Sequence, residues 1–128
     1  MSTLLLVDDE PAIRLLLSEI LRGEGFTVLT AGSAAEARQC LEEQAFDVVL
    51  TDLRMETPTA GFEVVQAAAS MAPRPGIVIL TAFPVPASDW RPLGADLLFI
   101  KGGNIRVLTQ ELHALVSELQ VRQRKLAM

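Results

Sequence analysis

Five short apolar runs, separated by longer stretches of helical periodicity, constrain this chain more than any other feature. The runs are Leu4 to Val7, Phe26 to Thr30, Asp47 to Thr51, Ile77 to Thr81 and Leu97 to Ile100, each four or five residues long. They lack the alternating polar face of a half-exposed strand, so they are expected to be buried on both sides. That is the habit of parallel sheets covered by helices. Between them, Ile13, Leu16, Leu17, Ile20 and Leu21 recur at helical spacing, followed by the Ala-rich stretch Ala34 to Gln44 and by Phe62 to Met71. Each is long enough for a crossover helix. The repeated alternation predicts the α/β class, with a doubly wound parallel sheet.

Local punctuation agrees. Gly23 and Gly25 fall where the first helix should stop. Ser33 is a good cap for the second helix, with Glu36 three residues on, and Pro73-Arg74-Pro75-Gly76 breaks the chain before the fourth run. The last helix, roughly Asn104 to Leu126, places Ile105, Leu108, Leu112, Leu115, Val116 and Leu119 on one stripe and ends in Arg122, Arg124 and Lys125, which suit the negative end of its dipole. About 20 helical residues span roughly 30 Å, whereas a five-residue strand covers about 17 Å. That helix is therefore expected to overrun the sheet.

With 128 residues the chain fits one domain, and no repeat or low-complexity tract divides it. A domain of this size builds a core without metal or disulfide staples. The single Cys40 excludes an intrachain bridge and reads as a small packing residue in a reducing compartment. A net charge of -5 argues against direct attraction to nucleic acid or anionic lipid. The apolar run after Met1-Ser2-Thr3 is too short for a signal or a membrane span, so a cytoplasmic location is expected.

In open parallel sheets ligands sit outside the carboxyl ends of the strands, so the polar residues there carry the functional reading. Asp8 and Asp9 follow the first run, Asp52 follows the third, Thr81 closes the fourth and Lys101 follows the fifth. If those strands are neighbours, three carboxylates converge on one cleft and repel one another unless a cation shares it. Mg²⁺, which takes one or two carboxylates together with waters and a phosphate oxygen, suits the set. Lys101 adds a point charge for a phosphoryl oxygen and Thr81 adds a hydroxyl. Taken singly, Asp8 and Asp9 also read as caps of the first helix, with Pro11 in its first turn.

These segments resemble the receiver domain of two-component response regulators. Leu4-Leu5-Leu6-Val7-Asp8-Asp9-Glu10 is similar to its acidic pair, and Val48-Val49-Leu50-Thr51-Asp52-Leu53-Arg54-Met55 to its phosphoacceptor segment. Ile77-Val78-Ile79-Leu80-Thr81-Ala82 resembles its switch strand, and Gly94-Ala95-Asp96 leading to Lys101 its lysine segment. Four segments in the right order form a far more specific signal than one acidic pair. The resemblance implies a flavodoxin-like (βα)5 fold with strand order 2-1-3-4-5, as a single receiver domain over residues 1–128, of which about 120–128 are a helical extension or the start of a linker. It implies that Asp52 takes a phosphoryl group from a phosphohistidine of a sensor histidine kinase or phosphotransfer protein. Asp8, Asp9, Asp52 and the backbone carbonyl of Arg54 would hold Mg²⁺, Asp8 mostly through water. Thr81 would follow the phosphoryl group inward and favour one conformation of the face made by the fourth helix, fifth strand and fifth helix. The output protein or fused output domain is left open, as is a homodimer.

Several positions depart from the family pattern. The usual Met-Pro after the acceptor is replaced by Met55-Glu56-Thr57-Pro58, and Gly61 lies one position further from Asp52 than usual. Glu56 is expected to bring another carboxylate near the metal. Gly102-Gly103 replaces the usual proline after Lys101, so a trans peptide bond is expected there. Pro84, Pro86 and Pro92 predict a short or absent fourth helix. The aromatic position of the family's switch falls on Leu98, with Phe99 facing the other side, and Trp90 is either a partner contact or a cover for the core. Arg54 and Phe83, two positions after Asp52 and Thr81, would flank the path of hydrolytic water. The competing reading is a pseudo-receiver, an interaction module not controlled by phosphorylation. Catalytic triads lack partners, His113 is the only histidine, and no glycine-rich phosphate loop supports a turnover enzyme.

Overall fold

The structure, a computed structural model, describes residues 2–127. Five strands, β1 (Thr3–Val7), β2 (Thr27–Ala31), β3 (Val48–Thr51), β4 (Gly76–Thr81) and β5 (Leu97–Ile100), alternate with the helices α1 (Pro11–Gly23), α2 (Ala34–Glu43), α3 (Ala60–Ala69), α4 (Ala87–Trp90) and α5 (Ile105–Ala127). The strands form one parallel sheet in the order β2-β1-β3-β4-β5, the expected topology.

The apolar runs become strands because both sheet faces are covered. Alternate side chains of each strand enter opposite layers. Leu5, Val7, Val49, Ile77 and Ile79 pack with Ala37, Leu41, Val64 and Val65 of α2 and α3. Leu4, Leu6, Leu50, Val78 and Leu80 pack instead with Leu21 of α1 and with Leu108 and Leu112 of α5. All six residues of β4 are buried. A truncation such as Leu50→Ala in the central layer is expected to cost about 2–5 kcal/mol.

Boundaries differ from expectation by one or two residues, for local reasons. Asp47 stands just before β3, where its carboxylate accepts the Thr3 N–H at 2.8 Å and ties β3 to the start of β1. Helix α2 has the expected cap, with Ser33 Oγ accepting the Glu36 N–H at 3.1 Å. The first helix does not: Glu10 is its N-cap and makes no side-chain cap bond, and Pro11 fills the first turn. Asp8 accepts the N–H of Glu10, which lies outside the helix, at 2.9 Å.

The three prolines have the expected effect. Helix α4 is only four residues long and passes into a single 3₁₀ turn at Arg91–Leu93, closed by Gly94 at φ 111°. Trp90 is buried in the α2–α3 layer, and its indole N–H donates to the Val85 carbonyl at 3.2 Å. It covers the core. Leu98 packs on that same layer and Phe99 on the opposite one, as alternation requires. The only cis peptide bond among the described residues is Ala72–Pro73, so Lys101–Gly102 is trans. No helix among the described residues is long and apolar enough to cross a membrane.

Candidate functional site

The sheet order sets the site. From β1 the chain first moves outward to β2 and then returns past β1 to β3, which opens a crevice at the carboxyl ends of these strands. Backbone hydrogen bonds run past the strand ends and fix the residues that follow. Asp8 N–H donates to the Ala31 carbonyl at 3.1 Å, Asp52 N–H to Val7 at 2.9 Å and Lys101 N–H to Thr81 at 2.7 Å. The site residues are thus held by the sheet itself and not by free loops.

Lys101 joins the two sides of the crevice. Its ammonium lies 3.1 Å from Asp8 Oδ2 and 2.9 Å from Asp52 Oδ2. Both carboxylates are buried, Asp8 at 1% and Asp52 at 7% exposure. Each uses its second oxygen on a backbone donor, Asp8 on Glu10 N–H and Asp52 on Leu53 N–H at 2.8 Å. Burial pulls the Lys101 pKa down, but the hydrogen bonds and negative charges of Asp52 and Asp8 outweigh it, and the net shift is upward. The lysine therefore stays charged at neutral pH. A fixed protein cation already offsets part of the repulsion among the acids.

A second grouping shares Asp8. Carboxylate oxygens of Asp8, Asp9 and Glu10 all lie within 4.8 Å of one another, with Asp9 and Glu10 exposed. Asp52 is outside this group and is engaged by Lys101 and Leu53 N–H. The expected set therefore divides: Asp8, Asp52 and Lys101 meet at the buried end, and Asp8, Asp9 and Glu10 at the rim. Of the four carboxylates here, Asp8 and Asp52 pair with the Lys101 ammonium, and all four offer hard oxygen donors. That donor set fits Mg²⁺, which favours carboxylate oxygen and retains water.

Thr81 is buried beside the crevice, where its Oγ1 accepts the Phe83 N–H at 3.3 Å and makes no bond to Asp52. Arg54 is exposed, and its guanidinium lies over the Phe83 ring at 5.3 Å from the centroid. Glu56 overturns an expectation. Its carboxylate turns away from the acidic corner and accepts the Ala34 N–H at 2.8 Å, on the first turn of α2. A helix N-terminus, with its free N–H groups and positive dipole end, competes well for a loop carboxylate.

Two contributors, Glu10 and Arg14, carry little signal in the sequence, and a third, Gly61, has a role its displaced position did not reveal. Glu10 completes the rim trio, and its only sequence signal is adjacency to Asp8-Asp9. Arg14 donates from α1 to the Asp8 carbonyl at 2.7 Å, one helical turn after that pair. Gly61 matters by what it lacks: a Cβ there would fall under 3.0 Å from the Asp52 carbonyl oxygen and from Leu53 Cα, while its own N–H donates to Leu53 at 2.8 Å. The displaced glycine thus still sits directly on the Asp52–Leu53 backbone. Other reactive side chains lie elsewhere. Burial, then the charges of Glu43 and Glu36, pushes the Cys40 thiol pKa up, and His113 stacks on Phe26 at 4.4 Å.

Comparison with known proteins bears on the same residues. The family model described as the response regulator receiver domain matches residues 4–113. The alginate biosynthesis transcriptional regulatory protein AlgB of Pseudomonas putida is 34% identical over 91% of the chain, which spans 29% of AlgB. The transcriptional regulatory protein GlrR of Escherichia coli is 39% identical over 62% of the chain and 18% of its own length. The chain therefore spans less than a third of these curated relatives. Among solved structures, the response regulator TrrA of Thermotoga maritima, crystallised in complex with Mg²⁺-BeF, superposes with a TM-score of 0.80 at 33% identity over 90% of this chain and 99% of that one. A CheY-like receiver domain protein of Methanospirillum hungatei gives 0.87 at 25% identity, over 95% and 98% of the two chains.

Proposed function

The chain belongs to the response regulator receiver domain family, and from that membership we propose that it accepts a phosphoryl group on Asp52 from a phosphohistidine protein and changes its partner binding as a result. The observation that carries this reading is the Lys101 ammonium held between buried Asp8 and Asp52 at 3.1 and 2.9 Å. Asp52 combines a fixed orientation, through Leu53 N–H, with a neighbouring cation able to follow developing negative charge. Such a site needs little covalent chemistry of its own. A carboxylate oxygen of Asp52 forms a bond to phosphorus as the phosphorus–nitrogen bond of the donor breaks, and the imidazole keeps the electron pair. The contribution of the protein is positioning and charge.

Asp8, Asp9 and Asp52, with the Arg54 carbonyl, are the residues proposed to hold Mg²⁺, and Glu10 stands close enough to join through water. When bound, the ion neutralises phosphoryl oxygens and so lowers the barrier to transfer. Lys101 pairs with the phosphoryl group once Asp52 carries it, and the Thr81 hydroxyl gains an acceptor. An apolar groove of about 300 Å³ beside Lys101, lined by Leu16, Leu80, Ile100 and Ile105, adjoins this corner and offers the donor protein a contact surface. The curated relatives are transcriptional regulators much longer than this chain. An output domain or output protein is accordingly part of the proposal, with a sensor histidine kinase or phosphotransfer protein as donor, a cytoplasmic setting and no direct contact of this domain with nucleic acid. Residues from about 120 form a helical extension towards that output or towards a second copy.

The test uses Mg²⁺ with acetyl phosphate or beryllofluoride. Wild type should form an acid-labile adduct with the former and a fluoride-containing complex with the latter, and Asp52→Asn should form neither. Absence of both in wild type at millimolar Mg²⁺ would favour the pseudo-receiver, in which the altered loops have displaced phosphorylation as the control.

A further inference from the structure

We infer that Glu56 is a positioning residue for the acceptor loop, which it anchors to the first turn of α2, so that Mg²⁺ binding depends on a contact outside the acidic corner. This rests on the phosphoacceptor reading above. The loop leaves Asp52, passes Arg54 and enters α3 at Ala60. Glu56 Oε1 accepts the N–H of Ala34, a residue 22 positions earlier in the chain, at 2.8 Å. Ala34 N–H is one of the first helical donors, which have no partner inside the helix. Ser33 Oγ serves Glu36 N–H and leaves this one to Glu56.

Neighbouring contacts make the anchor specific. Met55, half-buried, packs on the layer shared by α2 and α3, and its N–H closes a tight turn on the Thr57 carbonyl at 3.2 Å. On the other side, Gly61 N–H holds the Leu53 carbonyl. Arg54 is thus the free link between two fixed points, and it is the residue whose carbonyl is proposed to face the ion. A loop already ordered loses less conformational freedom when the ion binds. Removing the Glu56 anchor moves that loss into the binding step.

The same contact separates positioning from direct ligation. A Gln side chain at this position keeps an oxygen able to accept the Ala34 N–H but carries no charge. Glu56→Ala should therefore weaken Mg²⁺ binding about tenfold, the low end for residues that act through a ligand, whereas Glu56→Gln should stay within about twofold of wild type. The titration is followed by amide NMR. The Ala34 amide resonance should respond to Mg²⁺ in wild type and in Glu56→Gln, and lose that response in Glu56→Ala. Equal weakening by Ala and Gln would overturn positioning in favour of a charge effect, and affinity unchanged in Glu56→Ala would overturn it outright. If Glu56→Ala does not fold, an Ala34 amide in wild type that ignores saturating Mg²⁺ overturns the inference. Wild type that binds no Mg²⁺ defeats the phosphoacceptor reading itself, a result distinct from wild type that binds and a Glu56→Ala protein that binds equally well.

Discussion

The two ends of the crevice are built on different terms. At the β1–β3 end, backbone hydrogen bonds to neighbouring strands fix Asp8 and Asp52, Lys101 bridges their carboxylates, and α3 approaches so closely that only glycine fits at position 61. From Thr81 to Gly94, three prolines leave a four-residue helix, one 3₁₀ turn and a half-exposed Phe83. Under the proposed function, the contrast follows from what each end would have to do. Phosphoryl chemistry tolerates displacements well below an ångström, so its frame is over-determined. A readout surface needs only two arrangements that differ in energy, and its form is free to vary with the partner.

The sharpest way to break this comparison is Gly61→Ala. The added methyl overlaps backbone atoms of Asp52 and Leu53, not the yielding end of a side chain, so the helix or the Asp52–Leu53 backbone must move. A loss of about 3 kcal/mol or more is expected in urea unfolding, together with loss of adduct formation. If both survive, the acceptor frame is not over-determined.

Lys101→Met comes next, with opposite signs in two measurements. It leaves Asp8 and Asp52 buried without their cation, so stability without metal should fall by about 1–3 kcal/mol, less than for a fully buried pair because the lysine is partly exposed. Mg²⁺ should recover most of it and should bind more tightly than in wild type, since a competing cation has gone. Adduct yield should nevertheless drop. The pH dependence has the same origin. Burial lowers the Lys101 pKa, but Asp52 and Asp8 raise it further, so its folded value is above the ordinary 10.5. Its stabilisation is complete at neutral pH and is lost as pH rises through the folded value, a loss that Lys101→Met should not show.

At the readout end, Trp90→Phe removes the hydrogen bond to Val85 and some buried ring area, for about 1–2 kcal/mol. Adduct yield should be unchanged, and a fall in it would mean that the two ends are mechanically one. The smallest effect concerns lifetime. Phe83, under the Arg54 guanidinium, presents an apolar face beside Thr81, and Phe83→Glu is expected to speed adduct decay a few-fold by admitting and orienting water. Equal decay rates would remove Phe83 from the account.

What was legible in the sequence was whatever depends on neighbours along the chain. Strands buried on both faces read as unbroken apolar runs, the proline triplet reads as a truncated α4, and acids directly after strands read as a site. Less legible was whatever depends on direction in space. Glu56 is near Asp52 in sequence, yet its carboxylate goes to α2, because no pattern within the loop reveals the unpaired Ala34 N–H. Asp52 stands apart from the rim trio because Lys101 and Leu53 N–H take its oxygens. Repulsion among the acids calls for a cation, which the sequence reading supplies as Mg²⁺, whereas the lysine 93 positions after Asp8 already supplies part of the answer. Gly61 lies one position further along the chain than the family pattern has it, yet its N–H still donates to the Leu53 carbonyl and a Cβ there would overlap the Asp52–Leu53 backbone.

The most direct measurement is a crystal structure grown with Mg²⁺ and beryllofluoride. The account predicts an ion bounded by Asp8, Asp9 and Asp52, a fluoride adduct on Asp52, and the Lys101 ammonium drawn onto that adduct. Density showing a bare Asp52 still clasped by Lys101, with water alone between Asp8 and Asp9, would contradict it.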